Sequence, residues 1–247
     1  MRYDQLAAKE AETHAHYAAT LGGFIKDEFG HKPNVPWGRD YHYPEHTLKR
    51  AIVLHYTMGV LGGDITTLTN AGPAPQGHVS VSFVVARSGN IYRLFEPEEW
   101  TYHLGPGTAG GNQQCSSTTI GIEISNLGPL RLDDATATLI DAYGQPYCLA
   151  TQTEAYTRLA TPYRGYSYFA TFTPAQYASV AALLESLATR FDIPLKMLPV
   201  PERYQTFDAP AANAYRGVCS HVNFRPTGKT DIGPAFDWDQ LGLTVTV

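Results

Sequence analysis

The run from Arg50 to Thr57, Arg-Ala-Ile-Val-Leu-His-Tyr-Thr, constrains the fold most, because it is short, apolar and bounded by polar residues. A run of this kind is typical of a buried β-strand. His55 lies near the end of the predicted strand, where the backbone would hold it as rigidly as a metal ligand must be held. The alternative for a single histidine on a strand is a hydrogen-bonded residue of the core.

A segment punctuated by glycine and proline, residues 220–238, contains three more chemically useful side chains. His221 offers a neutral nitrogen, Lys229 a fixed positive charge and Asp231 a carboxylate. Two histidines and one aspartate fill three positions around a zinc ion and leave the fourth for water, which is the pattern of catalytic rather than structural zinc. With His55 included, the sequence predicts a hydrolytic Zn²⁺ site.

Two charged residues meet the other needs of amide hydrolysis. Glu123 stands inside the apolar run 120–124, where a carboxylate is costly to bury. It can accept a proton from water and return it to the leaving nitrogen. Lys229 can stabilise the oxyanion of the tetrahedral intermediate. The alternatives are a salt-bridged strand carboxylate for Glu123 and a solvated loop lysine for Lys229.

Five segments together resemble the zinc N-acetylmuramoyl-L-alanine amidases, a family that includes phage lysozyme-type amidases, bacterial cell-wall recycling amidases and peptidoglycan recognition proteins. The segments, in the family's order, are residues 54–57, 79–85 with 88–91, 102–105, 119–124 and 221–238. The resemblance implies that His55, His221 and Asp231 bind zinc, that Glu123 activates water, and that Lys229 polarises the substrate carbonyl. The third ligand in this family is Asp or Cys, and Asp231 is of the Asp type.

The same resemblance implies two substrate-binding residues. His103 matches the histidine of a Trp-His-Ala-Gly-like loop that lines the groove. Ser82 stands where relatives often carry Tyr, His or Asn in the first strand of a hairpin. A serine can hydrogen-bond but cannot act as a comparable acid near pH 7. The mechanism is therefore expected to depend on Glu123.

The expected fold is α/β, with a central mixed β-sheet flanked by helices, like that of the peptidoglycan recognition proteins and amidases. We expect a single amidase domain over residues 1–247, with a helical and irregular N-terminal extension (1–49) and a catalytic core (50–240). An insertion over residues 128–172 follows the Glu123 strand and is a candidate lid or groove wall. Strand alternation places Ile120, Ile122 and Ile124 on the face opposite Glu123.

Local patterns predict three further elements. Weak helical spacing indicates an N-terminal helix over residues 4–28. Alternation over 79–86, a turn at 88–90 and a return over 91–95 indicate a hairpin. Thr173-Pro174-Ala175-Gln176 predicts the start of a helix with a capping box, followed by an apolar stripe that faces the core. Pro194 would end that helix.

Composition excludes several classes of protein. The chain has 247 residues and a formal net charge of −5, so it lacks the basic character expected of a nucleic-acid-binding protein. No stretch approaches the ~18 apolar residues of a membrane span. Cys115, Cys148 and Cys219 are odd in number and contain no Cys-x-x-Cys pair, so neither a disulfide framework nor a cysteine zinc site is indicated.

The function that the resemblance implies is hydrolysis of the amide between N-acetylmuramic acid and L-alanine, with peptidoglycan or a muropeptide as the partner. Two alternatives remain open: a catalytically inactive peptidoglycan receptor, and a zinc hydrolase of another amide. The polar N-terminal segment has no apolar region typical of a secretory signal. We therefore expect synthesis in the cytoplasm, with action on the wall after lysis or dedicated export, or on recycled muropeptides inside the cell.

Overall fold

The computed structural model describes residues 2–20, 31–32, 41–69 and 79–245, and gives side chains for 2–15, 41–69 and 79–245. The helices are α1 (Arg2–Thr20), α2 (Leu61–Leu68), α3 (Asn112–Ser117), α4 (Pro174–Phe191), α5 (Val200–Arg203) and α6 (Ala209–Ala214), with 3₁₀ turns at Thr153–Ala155, His221–Asn223 and Trp238–Leu241. The first strands are β1 (His31–Lys32), β2 (Ala51–Tyr56), β3 (Phe83–Val85), β4 (Ile91–Arg93) and β5 (Thr119–Ile124). The others are β6 (Pro129–Asp133), β7 (Thr138–Ile140), β8 (Pro146–Leu149), β9 (Tyr156–Tyr163), β10 (Tyr166–Ala170), β11 (Lys196–Met197), β12 (Gly217–Ser220) and β13 (Thr244–Val245).

In the described residues, eight strands form the central sheet, in the order β1-β4-β3-β5-β2-β12-β11-β13. Only β3 and β4 pair antiparallel, and the other neighbours are parallel. This confirms the predicted mixed sheet. The strand β1 was not predicted, because residues 1–49 were expected to form a helical and irregular extension.

Three adjacent parallel strands, β5, β2 and β12, form the middle of this sheet. All six residues of β2 are buried, which explains its nearly continuous apolar run, since parallel strands are covered on both faces. In the register, His55 lies opposite Glu123, and Ser220 lies opposite Leu54. The carboxyl ends of the three strands therefore meet at one edge, where open α/β sheets usually carry their ligands.

Helix α4 covers one face of the central sheet. Thr173 caps it, the Thr173 and Gln176 side chains form the predicted capping box, and Pro174 occupies the first turn. The helix ends at Phe191, three residues before Pro194. Its stripe packs against the sheet in a cluster that includes Ile52, Leu54, Ile120, Ile122, Ile124, Val180, Leu184 and Leu187. The isoleucines of β5 thus face the core, as strand alternation predicts.

The predicted hairpin is present but shorter than expected. Strands β3 and β4 pair with Phe83 opposite Arg93 and Val85 opposite Ile91. Every residue from Ser80 to Ala86 is buried, so the polar positions of the alternating pattern do not face solvent. The reason is that β3 is an interior strand of the sheet, with β5 on its other side.

The insertion forms a second sheet, which the sequence did not predict. Its five strands are ordered β8-β7-β6-β10-β9 and pair antiparallel. Helix α1 packs on it through Leu6, through the edge-to-face contact of Tyr3 with Tyr147, and through an ion pair of Arg2 with Asp141. Of the helix predicted over 4–28, residues 4–20 are helical and residues 21–28 lie outside the described residues.

Two composition-based expectations can be compared with the structure. Cys115, Cys148 and Cys219 are buried and free. Within the described ranges, every helix is too short or too polar to traverse a lipid bilayer.

Candidate metal centre

Three of the predicted residues converge at the carboxyl edge of the central sheet. The Nδ1 atoms of His55 and His221 lie 2.9 Å apart, and Asp231 Oδ2 lies 3.2 Å from the first and 2.9 Å from the second. All three side chains are buried. Among the described residues, these three form a group of metal-binding side chains close enough together to hold one metal ion.

The sheet explains why residues so distant in sequence meet. His55 is the fifth residue of β2, and His221 directly follows the neighbouring parallel strand β12. Asp231 belongs to a loop, and its carbonyl oxygen accepts a hydrogen bond from the Val222 amide at 3.0 Å. The aspartate is thereby tied to the same turn that presents His221.

Hydrogen bonds behind His55 fix which of its nitrogens faces the cluster. The Thr119 hydroxyl donates to the Cys115 carbonyl at 2.8 Å, so it must accept from His103 Nε2, which lies 2.9 Å away. His103 Nδ1 is then an acceptor, and His55 Nε2 donates to it at 3.0 Å. This arrangement leaves a lone pair on His55 Nδ1, directed at His221 and Asp231.

His221 is oriented by the backbone. Its Nε2 donates to the Leu104 carbonyl at 2.8 Å, because a carbonyl can only accept, and Nδ1 is left free for a metal. Hydrogen bonds of this kind fix the tautomer and ring orientation of histidine ligands.

The charges of the cluster suit a cation. Burial, together with the neighbouring His221, lowers the pKa of His55 to about 4, so His55 is neutral at neutral pH. Burial alone would raise the pKa of Asp231, but His221 and His55 hold that pKa well below its ordinary value. The carboxylate is therefore ionised. Metal ligands must be deprotonated in this way.

Glu123 lies beside the cluster, on the strand next to His55. Burial raises the pKa of its carboxyl well above the ordinary value, the charge of Asp231 raises it further, and that of Lys229 opposes the rise. Glu123 Oε2 is buried and meets no hydrogen-bond partner among the described residues. An unpaired buried carboxylate oxygen is costly, and this one needs a partner that the described part of the chain does not provide.

A cavity of about 350 Å³ opens next to Glu123. Its lining includes Met58 after β2 and Asp64 of α2, together with Arg2 of α1 and Tyr143 of the turn between β7 and β8 in the second sheet. Both sheets and the N-terminal helix thus contribute to the space in front of the carboxylate.

His103 and Ser82 have surroundings different from those expected of groove residues. His103 is buried behind His55, and Gly121 makes room for it, since a Cβ there would lie 3.1 Å from the His103 ring. Ser82 is buried, and its carbonyl accepts the Leu94 amide at 2.9 Å. Substrate binding by either residue stays a prediction. Thr119 was not among the predicted site residues, because its role depends on a hydrogen bond to His103 that no local sequence pattern reveals.

Comparison with known families identifies the chain. The family model for N-acetylmuramoyl-L-alanine amidase matches residues 46–234. The chain belongs to this amidase family. The match includes every residue of the cluster, as well as Glu123 and Lys229.

Two characterised amidases and one solved structure are similar to the chain. N-acetylmuramoyl-L-alanine amidase AmiD of Escherichia coli (strain K12) is 26% identical over 195 residues, 78% of this chain and 51% of AmiD. The 1,6-anhydro-N-acetylmuramyl-L-alanine amidase AmpD of Citrobacter freundii is 26% identical over 169 residues, 68% of this chain and 58% of AmpD. The chain thus matches little more than half the length of each. A complex of E. coli AmiD with anhydro-N-acetylmuramic acid-L-Ala-D-gamma-Glu-L-Lys has a TM-score of 0.47 and 22% identity, over 90% of this chain and 67% of that one.

Proposed function

We propose that this protein is a zinc-dependent amidase that hydrolyses the amide between the lactyl group of N-acetylmuramic acid and L-alanine. The observation that carries the proposal is the convergence of His55 Nδ1, His221 Nδ1 and Asp231 Oδ2 beside the unpaired oxygen of Glu123. Membership of the family supplies the bond that is cut. The names of the two similar amidases support the same class of substrate.

The donor set fits zinc. Nitrogen from two histidines and oxygen from one aspartate are ligands that Zn²⁺ accepts, and three protein ligands leave a position for water, as in catalytic zinc sites. When bound, zinc acts as a Lewis acid and lowers the pKa of water from 15.7 to about 7 in favourable sites. The hydrogen bonds from His55 to His103 and from His221 to Leu104 hold the two rings in the orientation that this role requires.

Glu123 is proposed as the residue that moves the proton. Ionised, its carboxylate accepts a proton from the attacking water, and its raised pKa lets it keep that proton until the leaving nitrogen needs it. The free Oε2 atom is available for this exchange.

Lys229 is proposed to stabilise the negative charge that develops on the substrate carbonyl oxygen. The proposal is supported by the effect of its charge on the pKa of both Glu123 and His55. The cavity in front of Glu123 is where we expect the muramoyl-peptide to bind, either as part of intact peptidoglycan or as a released muropeptide.

Mass spectrometry of digested muropeptides tests the proposal. The zinc-loaded protein should release peptides with a free N-terminal L-alanine from a muropeptide such as N-acetylmuramoyl-L-Ala-D-γ-Glu-L-Lys. His55→Ala should abolish this product, whereas His46→Ala, which removes an exposed histidine, should not. New termini at another amide would mean a different hydrolase. Binding of zinc and muropeptide without any cleavage would instead identify a receptor.

A further inference from the structure

The turn between β9 and β10 has an unusual residue at its first position. Arg164 and Gly165 form a two-residue hairpin loop, since Tyr163 pairs with Tyr166, and both have positive φ angles, 49° and 87°. Such turns strongly favour Asn-Gly or Asp-Gly. An arginine in the left-handed region is strained, and strain of this kind persists where surrounding contacts enforce it, often at functional positions.

The surrounding contact of Arg164 is the loop that carries Asp231. Its guanidinium Nη1 donates to the Lys229 carbonyl at 2.5 Å, and its Cζ lies 5.7 Å from the centre of the Tyr163 ring. The second sheet thus holds the carbonyl of Lys229 through Arg164. The charged side chain of Lys229 instead acts electrostatically on His55 and Glu123.

Tyr163 holds the same loop on the other side of Asp231. A Cβ added to Gly233 would lie 2.6 Å from Tyr163 Cε1, so the ring packs directly on the backbone there. Between the two contacts, the Tyr56 hydroxyl donates to Thr230 Oγ1. The loop from 229 to 233 has no regular secondary structure, and these contacts replace the support that a strand would give.

We propose that the β9–β10 turn of the second sheet positions the Lys229–Asp231 loop, with Arg164 as the positioning residue. The inference rests on the proposed function, because the loop matters through its metal ligand and its lysine. Asp231 Oδ2 has to meet two histidine nitrogens at once, and a small shift of a loop backbone moves the carboxylate away from both. Residues that orient metal ligands typically affect metal affinity or activity by 10–100-fold when they are changed.

Arg164→Asn separates this role from simple hairpin stability. Asparagine is better suited to the turn than arginine, so the fold should be at least as stable, yet the hydrogen bond to the Lys229 carbonyl is lost. We expect the zinc Kd, measured on the metal-free protein by competition with a chelating dye, to rise about 10-fold. Amide hydrogen exchange over residues 226–234 should become faster in the metal-free protein, and Arg164→Lys, which keeps a donor, should recover part of both effects.

Ala137→Asn is the matched control. Ala137 also has a φ angle of 49° and lies in the turn between β6 and β7 of the same sheet, and its substitution should leave zinc affinity and loop exchange unchanged. Parental zinc affinity and exchange in Arg164→Asn would overturn the inference, as would an equal loss in Ala137→Asn. A parental protein that binds no zinc would overturn the proposed function and this inference together. A parental protein that binds zinc, with Arg164→Asn unchanged from it, would overturn this inference alone.

Discussion

The two sheets of this protein differ in strand direction, in burial and in their relation to the candidate metal site. The central sheet is largely parallel and its middle strands are buried. The side chains of the candidate metal site, His55, His221 and Asp231, meet at the carboxyl ends of β2 and β12 and in the loop after β12. The second sheet is antiparallel, and β9 is mostly exposed or half-buried. It contacts the loop that carries Asp231 through Arg164, which binds the Lys229 carbonyl, and through Tyr163, which packs on Gly233. The difference indicates that the strands buried on both faces carry the reacting side chains, while the second sheet holds the loop of Asp231 in position.

Changing Glu123 should have the largest effect and would test whether proton transfer belongs to the central sheet. Glu123→Gln removes the carboxylate without changing its size, so kcat/KM for muropeptide cleavage should fall by roughly 10²–10⁴-fold. Zinc should bind with parental affinity, because Glu123 is not one of the three proposed ligands. Glu185→Gln, the same change at an exposed position of α4, is the control. Parental rates in Glu123→Gln would remove this residue from the mechanism.

Asp64 should make the stability of the protein depend on pH. This carboxyl is buried on α2, accepts a hydrogen bond from Ser125 Oγ at 2.6 Å, and has its pKa raised by burial from 3.8 to about 6. Below pH 3.8 the carboxyl is protonated in both the folded and the unfolded chain. Folding then buries a neutral group, and the contribution of Asp64 to the free energy of unfolding has its full value. As the pH rises through about 6, the folded chain must ionise a buried group, and this stabilisation is lost.

Asp64→Asn should therefore remove that pH dependence. A difference of about two pKa units corresponds to about 3 kcal/mol. Between pH 4 and pH 8 the parental protein should lose about this much free energy of unfolding through Asp64, and the variant should not. The difference in stability between variant and parent should therefore rise by about 3 kcal/mol over this range. Urea denaturation at the two pH values measures the difference. Identical pH profiles for variant and parent would show that Asp64 titrates normally.

Thr119→Val tests the hydrogen-bonded chain behind His55. Without the hydroxyl, His103 Nε2 loses its acceptor, and the tautomer that presents His55 Nδ1 to the metal is no longer fixed. The zinc Kd should rise about 10-fold. Thr138→Val, which removes a buried hydroxyl from β7 of the second sheet, should leave the Kd unchanged. Equal affinities in the two variants would contradict the proposed orientation.

The sequence predicted the central sheet better than the second one, for a physical reason. The strands around His55 and Glu123 are buried on both faces and appear as apolar runs, and the helix after Thr173 begins with a capping box that depends on four consecutive residues. These signals are local. Strands such as β7 and β8 have three or four residues of mixed polarity, and their pairing depends on contacts across turns that no periodic pattern records.

The site was predicted to a similar limit. His55, His221 and Asp231 were selected by residue type and resemblance, and the structure brings them together. The buried position of His103 behind His55 was not predicted. A motif identifies a residue, but it does not show whether the side chain lines the groove or contacts the far side of a metal-ligating histidine. The contact of Arg164 with Lys229 joins residues 65 positions apart and follows only from the fold.

The smallest expected effect concerns Ala137, in the turn between β6 and β7 of the second sheet. A left-handed conformation costs a residue with a Cβ about 1–2 kcal/mol, and glycine avoids that cost but loses more backbone entropy on folding. Ala137→Gly should therefore raise the free energy of unfolding by about 0.5–1 kcal/mol, as measured by urea denaturation, with unchanged kcat/KM. A change in activity at this turn would mean that the second sheet is coupled to the metal cluster as a whole, and the division between supporting and reacting regions would have to be given up.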